Sequence, residues 1–386
     1  MKEHPLIISS PLAVSPTPAI SPVPRVEPAS GVSPALSASS VLTSIPGLKA
    51  STVLTLGSPP HIRAEGDITK AMRDVIIALT PAILVSIYFF GLNAIFVTGV
   101  CVLSTTMTEF LIRSILRRPF SLNDGSAIVT GLLLALSLPP TTPWWLCALG
   151  GIVAIGIAKE LFGGLGKNVF NPALFARTFL FVFTTWHPLI EKYIVPLWWK
   201  SHAFTRLLTA RFVGNAVIIT DFAGKRIDSI TAATPLAFAR AGSQVFSTPS
   251  GYWSLLLGNI GGVLGGSSLA LLLGAAYLVY KGHINLKIPG SILITMAILS
   301  IAVGKDPIFH ILAGGLILGA FFMATDWVTS PVTTYGQIIY GIGIGIFTFF
   351  VRNYGTRVEG MCTAILHMNV IALFIDRYTR PRRFGE

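Results

Sequence analysis

Charged residues are scarce in this chain of 386 residues, where Asp, Glu, Lys and Arg together make up 11%. A typical soluble domain carries about a quarter. Hydrophobic residues make up 52% of the chain instead, so the composition predicts an integral membrane protein. Apolar runs recur near the ~20 residues that a helix needs to cross a bilayer, which favours an all-α bundle over a β-barrel.

Metal-ligand and nucleotide motifs are also missing. The three cysteines, Cys101, Cys147 and Cys362, are far apart in sequence, and no CxxC or Cys/His spacing connects them. We therefore predict no zinc or iron–sulfur centre built by this chain alone, and ligation shared with another chain stays open. There is no GxxxxGK[ST] loop and no G-x-G-x-x-G after a strand, so neither a P-loop nor a nicotinamide site is predicted. The scattered histidines receive no role.

Residues 1–58 contain nine prolines and many serines, without a helical or strand period. This composition predicts a disordered tail, and its apolar stretches are too short for a cleaved signal peptide. Residues 59–386 form the predicted membrane domain.

Ten apolar segments follow the tail, and we predict that each spans the membrane. They cover residues 75–91, 92–112, 125–138, 144–161, 169–185, 254–279, 288–303, 308–325, 337–351 and 361–376. The segments that fall on one side carry fourteen Lys and Arg, against three in the short connections on the other side. The net charge of +12 therefore indicates topology rather than nucleic-acid binding. We predict a prokaryotic cytoplasmic membrane protein with both termini in the cytoplasm and the loop 186–253 outside.

Two predicted spans look interrupted, the third and the eighth, which occupy matching positions in the two sets of five. The third begins beside Asp124 and stops at Pro139, and the eighth runs into Asp326. An odd number of spans per half makes a repeat inverted, and broken helices at matching positions point to an internal site. Ordinary helix ends, with Asp as a cap and Pro as a stop, are the alternative.

The segment 163–172 is rich in glycine and ends at Asn171 and Pro172. It is interpreted either as a tight reversal between two spans or as backbone and Asn side chains that line a cofactor cavity. Carboxylates close to the spans are expected to reach the headgroup region from nearby cytoplasmic ends. They are Asp74, Glu109, Asp124, Glu160, Asp326 and Asp376.

Residues 228–237, D-S-I-T-A-A-T-P-L-A, place Thr234 among small neighbours in the long polar loop. Thr before Pro and an apolar segment is typical of a helix start. The alternative is a hydroxyl that accepts a phosphorylated cofactor, and the residues alone leave both open.

Several separate motifs together resemble the NqrB/RnfD family of membrane subunits, which serve the Rnf ferredoxin:NAD oxidoreductase and the sodium-pumping NADH:quinone oxidoreductase. The resemblance covers about residues 58–385. Its motifs are D-G-S-A at 124–127, T-G-L-L-L-A at 130–135, G-G-L-G-K-N at 163–168, F-N-P-A at 170–173, the 228–237 run, G-A-F-F at 319–322 and R-Y-T-R-P-R at 377–382. The compact length and the basic C-terminal motif favour the RnfD branch.

The resemblance implies that a flavin transferase links FMN through its phosphate to Thr234, with Thr231 as a minor rival acceptor. It also implies a second, noncovalent riboflavin, and two inverted five-helix halves similar to urea transporters. Asp124, Asn171 and Asp326 are our candidates for an internal site, with no metal site predicted. The expected function is a flavin-carrying subunit of a redox-driven Na⁺ or H⁺ pump, with flavin and iron–sulfur subunits as partners and lipid around it. An NqrB-type subunit of a quinone reductase and a passive solute channel are the alternatives.

Overall fold

The structure, a computed structural model, describes residues 68–118, 122–140, 142–185, 219–220, 226–227, 235–240, 247–260, 262–355 and 360–380. The predicted tail 1–58 and the candidate acceptors Thr231 and Thr234 lie outside the described residues.

The described chain is helical apart from one short pair of strands, which confirms the all-α prediction in its main feature. The first set of helices comprises α1 Ile68–Phe90, α2 Leu92–Ile115, α3 Ser126–Ser137, α4 Trp144–Ile152 with a π-helical continuation Val153–Glu160, and α5 Pro172–Thr185. A 3₁₀ turn, Leu122–Asp124, precedes α3. The strands β1 Ile219–Thr220 and β2 Arg226–Ile227 pair antiparallel within the long loop.

The second set begins with two short helices, α6 Pro235–Arg240 and α7 Pro249–Leu257. It continues with α8 Ser268–Tyr280, α9 Lys287–Ala302, α10 Pro307–Leu312, α11 Leu316–Leu318 with a π-helical continuation Gly319–Met323, α12 Thr334–Tyr354 and α13 Met361–Thr379.

Three described helices, α1, α2 and α12, are long and apolar enough to cross a membrane, with 23, 24 and 21 residues. Four shorter apolar helices accompany them, Ser126–Ser137, Pro172–Val182, Ser268–Tyr280 and Lys287–Ala302. Large apolar side chains cover the outer surface, including Leu84, Leu103 and Ile294, each more than 60% exposed. Such a surface suits lipid rather than water, so the protein is a multi-pass membrane protein.

The two sets of helices pack in corresponding ways. In the first, α2 contacts α3 and α4, and in the second, α9 contacts α10 and α12. The sets meet where α1 crosses α8 and where α5 crosses α13. Gly274 on α8 makes the first crossing close, because a Cβ atom there would collide with the carbonyl oxygen of Ala78 on α1.

The sixth predicted span, 254–279, is wrong as a continuous helix. The chain leaves helical geometry after Leu257, where Gly258 adopts φ 89°, and becomes helical again at Ser268. The irregular backbone is satisfied by the end of α3, because the amides of Leu264 and Gly265 donate to the carbonyls of Leu138 and Leu136. A hydropathy pattern cannot detect this break, since both sides of it are apolar.

The eighth predicted span is interrupted, as expected, but the main break lies inside it. Helix α10 ends at Leu312, and Gly314 and Gly315 adopt φ 68° and 65° before α11 begins. The Asp326 turn that suggested the interruption follows the π-helix at the other end of the segment.

Candidate functional site

A cavity of about 280 Å³ lies between the two sets of helices. Its wall combines α1, α3, the start of α5 and the segment 165–168 with α8 and the region 321–328. Most of the lining is apolar, and Phe321, Phe322 and Trp327 supply aromatic surface. The lining polar and ionisable side chains are Ser126, Thr130, Lys159, Asn168, Asn171, His283, Thr325 and Asp326. An apolar cavity with few polar groups is typical of a ligand site.

Two of the three residues predicted for an internal site lie on this wall. Asn171 connects the halves, because its side-chain amide donates to the carbonyl of Met323 at 3.3 Å while its oxygen accepts from the amide of Ala173. Asp326 accepts hydrogen bonds from the amide of Val328 and the hydroxyl of Thr329. Burial raises the pKa of the Asp326 carboxyl, and these two hydrogen bonds oppose that change.

Asp124 does not line the cavity but supports a residue that does. Its Oδ1 accepts from the amide of Ser126 at 2.8 Å and from the Ser126 hydroxyl at 2.6 Å. The carboxylate therefore fixes the start of α3, which is the capping role left open by the sequence.

The glycine-rich segment 163–172 forms a tight reversal, and part of it also lines the cavity. Gly163, Gly164 and Gly166 all have positive φ, between 87° and 109°, which produces a tight reversal after the first π-helix. Leu165, Gly166 and Asn168 nevertheless line the cavity. The reversal is thus part of the wall.

The expectation that the carboxylates near the spans reach the headgroups is wrong for Glu109 and Glu160, which are 0% and 3% exposed. Lys159 Nζ lies 2.9 Å from Glu109 Oε1, and Arg113 Nη2 lies 3.0 Å from Glu160 Oε1. The π-helix places Lys159 and Glu160 against α2, where pairing compensates the cost of burying each charge. The sequence signal for this burial was the pair of adjacent opposite charges, Lys159 and Glu160, at the end of an apolar segment. The distribution of Lys and Arg had instead assigned Lys159 a role in membrane topology.

Asp74 is also buried, at 7%, in a contact between the halves. Its Oδ1 accepts from the hydroxyl of Tyr277 on α8 at 2.9 Å, and its Oδ2 lies 2.7 Å from His283 Nε2. Trp327 donates to the backbone carbonyl of His283 at 2.9 Å. Sequence patterns assign His283 no role, whereas the structure places it on the cavity wall.

The helix that follows Thr234 docks firmly on the bundle. Pro235 is buried and Leu236 is 4% exposed, in a small cluster with Leu255, Ile260, Phe309 and Ala313. A Cβ atom on Gly314 would collide with Leu236, so the docking uses the glycine at the break between α10 and α11. At the other end of α6, Arg240 donates to the carbonyls of Arg352 and Gly355 at 2.9 and 2.6 Å.

Two sets of apolar helices with a cavity between them define a multi-pass helical membrane protein. The chain belongs to the NQR2, RnfD, RnfE family, which it matches over residues 55–385.

Its relatives belong to ion-translocating oxidoreductase complexes, in which each is named as the D subunit. The chain is 44% identical over 334 residues to the relative from the Na⁺-translocating ferredoxin:NAD⁺ oxidoreductase complex of Acetobacterium woodii, covering 86% of this chain and 95% of the relative. It is 37% identical over 352 residues to the relative from the proton-translocating ferredoxin:NAD⁺ oxidoreductase complex of Clostridium ljungdahlii, covering 86% and 96%. The relative from an ion-translocating oxidoreductase complex of Stutzerimonas stutzeri is 37% identical, with 83% and 93% covered.

Proposed function

We propose that this chain is the flavin-carrying membrane subunit of an electron-transport complex that couples ferredoxin and NAD redox chemistry to export of Na⁺ or H⁺. The observation that carries this proposal is the similarity to these relatives along nearly the whole length of each. The partners are then the other subunits of an Rnf-type complex, with flavins and iron–sulfur centres. The two relatives named for different ions have similar coverage, so overall similarity does not select the coupling ion.

Thr234 is the proposed site of covalent FMN, attached by a flavin transferase through a phosphoester. When bound, the flavin supplies redox chemistry, since a link through the phosphate leaves its ring unmodified. The structure supports the proposal indirectly, because the chain is fixed immediately after Thr234 by the buried residues Pro235 and Leu236. A cofactor linked there has one end held against the bundle.

Thr234→Val tests the attachment, because it keeps the side-chain volume and removes the acceptor oxygen. In cells that express the flavin transferase, we expect the fluorescent band at this chain's size on a denaturing gel to disappear. Thr231→Val is the matched control and should keep the band. A band that persists in Thr234→Val and disappears in Thr231→Val would move the attachment to Thr231. A wild-type chain without any band would favour a passive solute channel instead.

The internal cavity is the proposed place for noncovalent riboflavin. Its lining suits a planar aromatic ring with a polar edge, since it includes the aromatic residues Phe321, Phe322 and Trp327 as well as Lys159 and Asn168. The fit rests on this combination of aromatic surface and few polar groups.

Two inverted halves of five spans each are proposed for the membrane domain. The corresponding helix contacts within each set and the pairing of α1 with α8 and of α5 with α13 support this arrangement. Both termini are proposed to lie in the cytoplasm of a prokaryote, with loop 186–253 outside. Comparing ferredoxin-dependent with quinone-dependent turnover of the purified complex separates the RnfD from the NqrB assignment.

A further inference from the structure

Lys159 belongs both to the cavity wall and to a buried ion cluster. Lys159 is 2% exposed, and its Nζ donates to Glu109 Oε1 at 2.9 Å and to Ser126 Oγ at 2.7 Å. Lys159 and Ser126 both line the cavity. A lysine ammonium has three donor hydrogens, so these bonds leave one for a ligand.

Among the described residues, the cluster joins the carboxylates Glu109 and Glu160 with the cations Lys159, Arg113 and Arg118. It continues away from the cavity through Arg113 and Glu160 to Arg118, whose side chain is 43% exposed. Of these five residues, Lys159 alone lines the cavity. Lys159 is therefore the cation of this cluster that a ligand in the cavity would meet.

We propose that Lys159 is the residue that positions the reduced flavin in the cavity and compensates its charge, an inference that rests on the proposed function. Full reduction of a bound flavin would take two electrons, passed one at a time by a low-potential iron–sulfur carrier, and one proton from water, and would leave the ring with one additional negative charge. The remaining N–H of Lys159 would donate to an acceptor atom of the ring. Because the Lys159 side chain is only 2% exposed, this interaction would be stronger than one made by a lysine at the surface.

Glu109 and Ser126 prepare Lys159 for this role. Glu109 holds the ammonium group in place through its buried ion pair, and Ser126 is itself held by Asp124. The π-helix is consistent with such a site, because π-bulges are frequent where a helix serves a function.

A pair of double variants separates this role from structural ion pairing. Lys159→Met with Glu109→Gln removes the inner pair without leaving one buried charge alone. Arg113→Met with Glu160→Gln removes the outer pair between the same two elements, and neither residue lines the cavity. The midpoint potential of the noncovalent riboflavin is measured in the whole purified complex, with the Thr234-linked flavin as internal reference. Acid extraction followed by chromatography distinguishes this riboflavin from the flavins of the partner subunits.

We expect the inner double variant to bind reduced flavin about tenfold more weakly relative to oxidised flavin, since a hydrogen bond from a charged donor is lost. For a two-electron couple this is a shift of about 30 mV to more negative potential. The outer double variant should lose thermal stability but keep the wild-type midpoint potential. Lys159→Arg should have a midpoint potential close to that of the wild type. Loss of the extractable riboflavin from the inner variant alone would also support the assignment.

An unchanged potential in the inner variant, or an equal shift in both double variants, would refute the proposed role of Lys159 but not the presence of flavin in the cavity. A wild-type complex without extractable riboflavin would instead refute the flavin in the cavity, and the inference with it. If the inner variant does not assemble, Ser126→Ala provides the second measurement, because it removes one of the two bonds that hold Nζ. A smaller negative shift supports the proposal, and no shift contradicts it.

Discussion

Arg352 is a buried cation that donates hydrogen bonds to backbone carbonyls. The sequence places it in a short outer connection as a topology charge, yet it is 3% exposed at the end of α12. It donates to the carbonyls of His310 at 2.6 Å and of Ala313 at 2.9 Å. These carbonyl groups lie at the end of α10. Leaving such a group unpaired in an apolar environment would cost roughly 2–7 kcal/mol.

Substitution of Asp326, with Asp124 for comparison, tests what a carboxylate in the cavity lining does. Asp326→Asn removes a negative charge from the cavity lining, so we expect altered retention of the noncovalent flavin or altered ion transport, measured in the purified complex and in vesicles. Asp124→Asn is the matched control, since an amide oxygen can still accept from Ser126 and the residue does not line the cavity.

The control variant should change only thermal stability, by about 1 kcal/mol or less. If Asp326→Asn also changes stability alone, both aspartates are structural caps, and the internal site does not depend on their charge.

At the scale of the helices, the break between α10 and α11 lies next to α6, the helix that follows the proposed attachment site. Helix α6 places Leu236 against Gly314, and Arg352 Nη2 lies 3.2 Å from the Gly314 carbonyl. The segment directly after Thr234 therefore contacts an interrupted helix of the second set. This arrangement makes the docking of α6 dependent on the shape of the break.

Gly314→Ala and Gly315→Ala form a closely matched pair for testing this contact. Both residues have positive φ, 68° and 65°, so each substitution carries about 1–2 kcal/mol of backbone strain. Only a Cβ atom on Gly314 would collide with Leu236, whereas a Cβ atom on Gly315 has no neighbour within 4 Å among the described residues. We expect Gly314→Ala to speed tryptic cleavage after Arg240 and to lower the melting temperature more than Gly315→Ala does. Equal effects would show that strain alone matters and that α6 does not depend on the close approach.

At the scale of the whole molecule, the cavity lies between the two sets of helices, which are the proposed inverted halves. Asn171 and Asp74 both bond across the sets, to Met323 and Tyr277. Asn171 also lines the cavity, so one of these contacts belongs to the wall.

Cysteine labelling tests the orientation, which rests on the distribution of Lys and Arg. Ser243→Cys should react with an impermeant maleimide in whole cells, whereas Ser121→Cys should react only after the membrane is opened. The background is low because Cys101 and Cys147 are buried and Cys362 is half-buried. The reverse pattern would place loop 186–253, and Thr234 with it, in the cytoplasm.

The sequence by itself determined the membrane class, the helical content, the interrupted eighth segment and the family, because apolar composition and ordered motifs are local properties of the chain. It also identified Asn171 and Asp326, which lie on one cavity wall. Only the tertiary structure decided that Lys159, Glu109 and Glu160 are buried together, that Asp124 stands behind Ser126, and that the sixth segment breaks after Leu257. Those outcomes depend on partners far away in sequence, since burial of a charge or of an irregular backbone is decided by what lies opposite it.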